Sequence, residues 1–373
     1  MRRRFTLPGL LLGVTLIGLL LALIVPLATY FARARYYSDE VIEVAASADG
    51  TTFAALLGDG HVLVWDNEGS LKATLHTLGT FGGSLALSFD GRLAAVSPAG
   101  ANEYVNVYPR GTVEIWDIAK RKIRRALALR AAGTKFSTAE NLLIVNRSPF
   151  RFEMYPADND DPPRVVPAGG PYVAFAPDGA RIATGTVPGR LEIWNLATLF
   201  KEREFPAGQT AHLWYNRVAW APDGQSIAGL ISEDDQTLLL EKWDLASGVD
   251  KPISRRVSDY NGIDLAFSPA GRHLFVVNPR RDAAPGPTQV FDADTLEPVE
   301  APHLADAWGV AGGMRGETFV SAEKYTVDLV DTATLQPRRR LYEGPPPPNV
   351  WPTVACFGVW LVFAVRLIRK RPK

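Results

Sequence analysis

The chain has 373 residues with 40 basic and 40 acidic side chains, so its formal net charge is zero. Such a neutral balance lacks the basic excess typical of nucleic-acid-binding proteins, and we expect no nucleic-acid partner. The single cysteine, Cys356, lies in an apolar segment near the C-terminus. The rest of the chain therefore has no thiol for a disulfide, a cysteine-ligated metal or a catalytic cysteine.

The N-terminal segment, residues 1–34, is predicted to be a transmembrane anchor. Three arginines precede an uncharged stretch from Phe5 to Ala32, whose central part supplies the ~20 apolar residues that a helix needs to cross the hydrocarbon core. The alternative is a cleaved signal peptide, because Ala32-Arg33-Ala34 resembles a small-residue cleavage site. The apolar stretch is long for the core of a signal peptide, which favours retention.

Between residues 35 and 342 the sequence repeats an apolar strand that leads into a tight turn. Alternating apolar residues before the turn are typical of a β-strand, and an Asp-Gly pair supplies the positive φ angles that a tight hairpin requires. Clear copies end at Gly50, Gly91, Gly179, Gly224 and Gly271, and weaker copies end at Glu140 and Gly316.

A second repeated element alternates with the first and ends in an aromatic residue followed by Asp or Asn. It also occurs seven times. The clear copies contain Trp65, Trp116, Trp194 and Trp243, and the decayed copies contain Tyr155, Phe291 and Val330. Segments such as Asp292-Ala-Asp-Thr-Leu that follow this element are predicted to be turns between third and fourth strands.

Seven units of about 40–50 residues predict an all-β fold, a seven-bladed β-propeller of four-stranded antiparallel blades over residues 35–342, flanked by N- and C-terminal transmembrane helices. One such sheet cannot bury both of its faces alone, whereas sheets placed radially around an axis bury each blade against its neighbours. The four tryptophans, Trp65, Trp116, Trp194 and Trp243, are therefore expected to pack between blades.

The repeats resemble those of WD-repeat propellers, and the Ala-Pro-Asp-Gly and Ser-Pro-Ala-Gly turns resemble those of TolB-like bacterial propellers. The resemblance covers roughly residues 40–342 and implies the propeller fold. No Gly-His pair opens the repeats, and only Asp59 matches the aspartate that such a histidine would orient in the WD family. Corresponding positions hold Arg110, Pro188 and Lys324. This departure weakens any transfer of a WD-family function.

The C-terminal part is predicted to be a proline-rich spacer at residues 343–349, then a transmembrane helix with a basic cytoplasmic tail at residues 350–373. A buried core helix is the alternative, but the basic residues that follow the apolar stretch favour a membrane span. Basic residues cluster before the first span and after the second. This bias places both termini in the cytoplasm and the propeller outside it.

The sequence contains no motif typical of hydrolases, zinc proteases, P-loop NTPases or dinucleotide-binding enzymes. Its histidines, at 61, 76, 212, 273 and 303, show no paired spacing. The acidic runs at 158–161 and 233–235 lack the ligand spacing of a calcium loop and are expected to be solvated. We therefore expect no catalytic residue, no metal site and no cofactor.

A partner is expected to bind the long loops. A four-stranded blade begins and ends on one face, which also carries the connections between second and third strands and between blades. The segments 98–109, 232–236, 278–287 and 155–171 are assigned to that face. Its candidate partner-binding residues are Asn102, Glu103, Tyr104, Tyr108, Arg280 and Arg281.

Tyrosine and arginine are common in recognition surfaces. The predicted function is thus a membrane-tethered, non-catalytic recognition or scaffold module at the extracytoplasmic surface, with a protein partner in the membrane or envelope. The alternative is an enzyme or a small-molecule or ion sensor with a polar site at the central channel.

Overall fold

The computed structural model describes residues 39–77, 83–98, 112–129, 131, 133–148, 151–168, 170, 172–186, 189–205, 215–232, 237–247, 251–258, 264–277 and 288–344. Both predicted membrane segments, residues 1–34 and 350–373, and most of the spacer lie outside these residues. In the described part of the chain, no helix has the length and hydropathy of a membrane span.

Twenty-eight strands form seven sheets of four strands each in the described residues. Blades 1 to 4 comprise β1 Val41–Ala46, β2 Thr52–Leu57, β3 His61–Asp66, β4 Leu71–His76, β5 Gly83–Leu87, β6 Leu93–Pro98, β7 Val113–Asp117, β8 Lys122–Leu127, β9 Gly133–Phe136, β10 Leu142–Ser148, β11 Arg151–Pro156, β12 Arg164–Val166, β13 Tyr172–Phe175, β14 Arg181–Gly185, β15 Leu191–Asn195 and β16 Lys201–Phe205. Blades 5 to 7 comprise β17 Tyr215–Trp220, β18 Ser226–Ser232, β19 Thr237–Asp244, β20 Ile253–Ser258, β21 Asp264–Phe267, β22 His273–Val277, β23 Gln289–Asp292, β24 Pro298–Val299, β25 Gly309–Gly312, β26 Thr318–Ala322, β27 Thr326–Asp331 and β28 Pro337–Glu343.

Each sheet pairs its four strands antiparallel and in chain order, which confirms the predicted seven-bladed propeller. First strands of neighbouring blades contact one another, as β1 does with β5 and with β25, so the first strands surround the axis and the fourth strands form the rim. We call the face where first strands begin and fourth strands end the terminal face. The opposite face carries the turns between strands 1 and 2 and between strands 3 and 4, and we call it the turn face.

The hydrophobic core is divided among the seven junctions between blades. Seven clusters of buried apolar side chains are present in the described residues, and each joins two neighbouring blades. Strands with a buried side chain on both faces, such as β2 and β18, lie in the middle of their sheets and are almost wholly apolar. This arrangement follows the expectation that a blade buries its faces only against its neighbours.

The Asp-Gly turns interlock on the turn face. Gly50, Gly224 and Gly271 adopt φ values of 74°, 74° and 70°, the left-handed conformation expected for these turns. A Cβ on Gly224 would lie 3.8 Å from Pro177 of the preceding blade, and one on Gly271 would lie 3.6 Å from Pro222. The proline of each Ala-Pro-Asp-Gly turn therefore packs against the next turn around the ring.

The ring closes between blades 7 and 1 without strand exchange. All four strands of blade 1 come from the start of the propeller and all four strands of blade 7 from its end. The amide of Met314 donates to the carbonyl of Ala48 at 2.8 Å, and a shared apolar cluster includes Trp65 and Leu329. Noncovalent contacts alone thus join these two blades.

Candidate functional site

The four tryptophans occupy equivalent positions near the ends of third strands. Trp65, Trp116 and Trp243 are buried, whereas Trp194 is half-buried at the edge of its cluster. Each side chain packs in the cluster shared with the preceding blade. The ring of Trp243, for example, lies 4.9 Å from that of Phe205 in blade 4. These indoles are packed between sheets, and Trp194 is the least enclosed of them.

A glutamate two residues before the aromatic side chain accepts its polar hydrogen. The indole N–H of Trp116 donates to Glu114 at 2.9 Å, and the hydroxyl of Tyr155 donates to Glu153 at 2.6 Å. Trp194 makes the same bond to Glu192 at 2.9 Å. The Glu-x-aromatic pattern that these pairs share is visible in the sequence and is the signal by which such bonds can be predicted. These carboxylates serve the packing of their own blades, because buried indole and phenol groups need a polar partner.

The predicted partner-binding residues lie outside the described part of the chain. Asn102, Glu103, Tyr104 and Tyr108 fall in residues 99–111, and Arg280 and Arg281 fall in residues 278–287. The flanking strands show that both segments connect second to third strands, in blades 2 and 6. The segments therefore start and end on the terminal face, and the role of the six residues stays a prediction.

The acidic run at 158–161 lies on the opposite face from the one predicted. The stretch 155–171 contains β12, the fourth strand of blade 3, so residues 157–163 connect strands 3 and 4 on the turn face. Arginines of blade 2 pair with this loop: Arg124 lies 3.2 Å from Asp158 and Arg125 lies 3.3 Å from Asp160. The short strand β12 has only three residues and was not predicted from the sequence. The second acidic run, at 233–235, lies outside the described residues.

Aspartates of the turns between strands 3 and 4 act as local caps. Asp292 accepts the backbone N–H of Thr295 at 2.9 Å, and Asp331 accepts that of Thr334 at 2.8 Å. These bonds hold the pKa of Asp292 below its ordinary value. In Asp331 the Thr334 N–H and the guanidinium of Arg338 lower the pKa to about 2. The prediction that the Asp-x-x-Thr-Leu segments are turns is confirmed.

A polar cluster lies near the axis on the terminal face. Tyr172, Arg217 and Asp264 sit at or near the starts of first strands in blades 4, 5 and 6. The Arg217 guanidinium lies 4.2 Å from the centre of the Tyr172 ring, and its Nε lies 3.3 Å from Asp264 Oδ1. The side chain of Asp264 is 58% exposed and that of Arg217 is 29% exposed. We call these three residues the axial cluster; it offers an aromatic ring and both charge signs to solvent.

Other first strands carry polar groups that bond across blades. A carboxylate oxygen of Glu43 accepts the backbone N–H of Leu85 at 3.1 Å. The Ser84 hydroxyl lies 2.8 Å from that of Thr134 in the next blade. These contacts link blades 1, 2 and 3 around the axis. In the described residues no group of three His, Cys, Asp or Glu side chains is arranged to hold a metal ion.

Two histidines that the sequence separates are brought together in blade 1. His61 and His76 are opposite one another in the pairing of β3 with β4. Their ring centroids are 4.4 Å apart with an interplanar angle of 74°. Asp59 pairs with His61 of its own turn, with 2.5 Å between Asp59 Oδ2 and His61 Nδ1. Asp59 therefore pairs with a histidine of its own turn. It does not orient the histidine of a Gly-His pair, because no such pair opens the repeats.

The two ends of the propeller meet at one turn on the terminal face. The backbone N–H of Val41, where β1 begins, donates to the carbonyl of Lys324 at 2.9 Å. The N–H of Gly344, just after β28, donates to the carbonyl of Tyr325 at 2.7 Å. Adjacent carbonyls thus hold the first and the last residues of the domain side by side.

Comparisons with known proteins identify the fold and no family. No protein-family model matches the chain, and no curated protein sequence matches it significantly. Among solved structures, the β-propeller domain of Cps50 (Swd1) from Myceliophteria thermophila is similar with a TM-score of 0.57 at 14% identity, covering 78% of this chain and 95% of that one. Hydrazine synthase from Kuenenia stuttgartiensis is similar with a TM-score of 0.57 at 15% identity, covering 79% of this chain and 96% of that one. At such identities the likeness shows a shared propeller fold.

Proposed function

We propose that this chain is a membrane-tethered, non-catalytic β-propeller that recognises a protein partner at the extracytoplasmic surface of a membrane. The observation that carries the proposal is the meeting of Val41 and Gly344 at the Lys324–Tyr325 carbonyls. Both ends of the described propeller leave from one point, and we propose that the two apolar terminal segments that continue the chain from these ends enter the same bilayer.

The tethers between the propeller and these apolar segments are short. About ten residues separate Tyr30, near the end of the first apolar segment, from Val41, a reach of at most ~35 Å when extended. Prolines 345–348 favour a semi-rigid polyproline spacer, which rises ~3.1 Å per residue. Short tethers at a single point would hold the terminal face toward the bilayer. The basic residues outside the two apolar segments favour cytoplasmic termini.

Recognition is proposed for the terminal face. β-Propellers commonly serve protein interaction, and loops on a rigid scaffold are usual sites of binding. The axial cluster contributes Tyr172 and Arg217, two residue types that dominate binding energy in many interfaces. The connecting segments 99–111 and 278–287 begin and end on the same face and carry Asn102, Tyr104 and Arg280 among their candidate residues.

A sensor of a small molecule or ion at the axis is the second candidate. The solvent exposure of Asp264 and Arg217 favours this second function, because the two side chains could orient a polar ligand of either charge. Within the cluster, Arg217 already forms an ion pair with Asp264 and contacts the ring of Tyr172. A small ligand would have to replace these contacts, whereas a protein partner could cover the cluster intact.

Topology is tested with single cysteines in intact cells, in a background where Cys356 is changed to serine. Asn349→Cys should react with a membrane-impermeant thiol reagent, and Lys373→Cys should react only after permeabilisation. Asn67→Cys, in an exposed turn of blade 1, reports on the propeller itself and should behave like Asn349→Cys. Labelling of Lys373→Cys alone would contradict the proposed orientation. A mature N-terminus near Arg35 would show that the first apolar segment is a cleaved signal peptide and not an anchor.

Recognition is tested by crosslinking in the native membrane followed by identification of the linked protein. Tyr172→Ala and Arg217→Ala should each reduce the yield by at least about tenfold, as loss of an interface hot spot does. Arg92→Ala is the matched control, because Arg92 makes an ion pair with Asp90 on the turn face and should leave crosslinking unchanged. Loss with Arg92→Ala and retention with both other variants would assign recognition to the turn face.

A further inference from the structure

His61 and His76 of blade 1 lie next to each other at the protein surface, as two side chains that chelate one metal ion would. His61 is the first residue of β3 and His76 is the last residue of β4, so both lie where the outer half of the blade reaches the terminal face. Directly opposed residues of antiparallel strands project to the same side of a sheet. The hairpin therefore holds two imidazoles side by side, and His76 is exposed to solvent.

Asp59 prepares one of these imidazoles to act as a ligand. One carboxylate oxygen accepts the backbone N–H of His61 at 2.9 Å, and the other lies 2.5 Å from His61 Nδ1. A carboxylate at this distance accepts a proton carried on Nδ1, which leaves the lone pair on Nε2 free. Metal-binding histidines usually have such a partner on their second nitrogen, because it fixes the tautomer and raises the basicity of the ligating nitrogen.

The separation of the rings fits a shared metal ion. A metal about 2.0–2.1 Å from one nitrogen of each of two adjacent ligands brings their ring centroids to about 4.5–5 Å. The observed separation of 4.4 Å lies just below this range, and a small turn of the exposed His76 ring would bring both imidazoles onto one ion. We propose that His61 and His76, oriented by Asp59, bind a divalent transition-metal ion of the class that prefers imidazole, namely Zn²⁺, Ni²⁺ or Cu²⁺.

The site is open on its outer side. In the described residues no third His, Cys, Asp or Glu joins the pair in a metal-binding arrangement, so water completes the coordination. Structural zinc sites are closed by four protein ligands, whereas sites with open positions exchange their ions and take further ligands. This site therefore binds reversibly, on the face that also holds the axial cluster. Mg²⁺ and Ca²⁺, which prefer oxygen ligands, do not bind it.

The proposal is tested by calorimetric titration of the full chain, without an affinity tag, with ZnCl₂ and NiCl₂. The expected result is saturable one-to-one binding in the micromolar range, with no heat from MgCl₂. His61→Asn and His76→Asn should each weaken binding by at least about tenfold, since each removes one ligand, and Asp59→Asn should weaken it by about 10–100-fold. His303→Asn is the matched control, because His303 is exposed in the connection between blades 6 and 7, and it should bind like the wild type.

A second measurement on the wild-type chain keeps the test decisive if a variant fails to fold. Diethyl pyrocarbonate modifies accessible imidazoles, and the modified residues are identified by mass spectrometry. Zn²⁺ should protect His61 and His76 and leave the modification of His303 unchanged. The proposal is overturned if no saturable binding occurs, if either histidine variant binds like the wild type, or if Zn²⁺ protects neither His61 nor His76.

Discussion

The closing junction between blades 7 and 1 and the internal junction between blades 4 and 5 use the same kinds of contact. A tryptophan of the following blade fills each: Trp65 at the closing junction and Trp243 at the internal one. A rim arginine also bridges each junction to a backbone carbonyl: Arg339 to Glu68 at 3.0 Å, and Arg203 to Leu245 at 3.1 Å. These two junctions are therefore built from the same kinds of contact.

The two junctions differ in connectivity and in tightness. The polypeptide passes directly from blade 4 to blade 5, but blades 7 and 1 are joined only through the whole ring. The turns at the closing junction are also closer: a Cβ on Gly50 would lie 1.9 Å from the carbonyl oxygen of Arg315. Closure of a long loop has an entropic cost, and the closing junction combines close backbone contact at the Gly50 turn with the absence of strand exchange.

Removal of the two tryptophans should have the largest effect. Trp65→Ala and Trp243→Ala each leave a cavity in a buried cluster, and each should lower the free energy of unfolding by about 3–5 kcal/mol. Trp194→Ala should cost less, because Trp194 is only half-buried. Urea denaturation of the three variants measures the order. A loss below about 1 kcal/mol for Trp243→Ala would contradict its packing role.

Gly50 and Gly271 occupy equivalent turn positions. Their alanine variants separate the cost of close packing between blades from the cost of an unfavourable backbone conformation. Gly50→Ala and Gly271→Ala both place a Cβ at a positive φ, which costs about 1–2 kcal/mol. Only Gly50→Ala also drives that Cβ against a backbone oxygen, at a further cost of about 1–3 kcal/mol. Thermal denaturation of both variants should therefore show a larger loss for Gly50→Ala. Equal losses would show that the Gly50 turn is no tighter than the Gly271 turn between blades 5 and 6.

The smallest expected effect is a pH dependence located in blade 6, away from the closing junction. Burial lowers the pKa of His273, and its Nδ1 is buried with no hydrogen-bond partner among the described residues. The unfolded chain binds this proton near pH ~6.5 and the folded chain only at lower pH. The free energy of unfolding is therefore highest above pH ~6.5 and decreases as the pH falls from ~6.5 toward the lower pKa of His273 in the folded state.

The free energy of unfolding in urea at about pH 7.5 and about pH 5.5 measures this loss, since the lower value falls below the unfolded pKa. His273→Gln should reduce the difference between the two conditions. His303→Gln, at an exposed position, should preserve it. An unchanged difference in His273→Gln would assign the pH dependence to other groups.

Much of the fold could be predicted because its signals are local. The Asp-Gly pairs marked the turns between strands 1 and 2, and the aromatic residues before Asp or Asn marked the ends of third strands. The fourth strands gave weaker signals, because they lie at the exposed rim and because two of them, β12 and β24, have only three and two residues. For that reason β12 was missed and residues 157–163 were assigned to the wrong face.

The candidate sites could not be predicted to the same extent. Tyr172, Arg217 and Asp264 belong to three different blades, and only the closed ring brings them to one place near the axis. His61 and His76 meet because the register of β3 and β4 places them opposite one another. The roles of Asn102, Tyr104 and Arg280 stay predictions, since these residues lie outside the described part of the chain.

The repeat pattern alone was enough to predict the number of blades, the order of their strands and the apolar character of each blade face. These properties depend on the alternation of side chains along single strands and on turn residues that need particular φ angles. The folded ring was needed to show which side chains face each other across blades and that Val41 and Gly344, the two ends of the propeller, meet at the Lys324–Tyr325 turn. Those contacts join residues far apart in sequence, and ring closure and strand register, which no local pattern encodes, fix their positions.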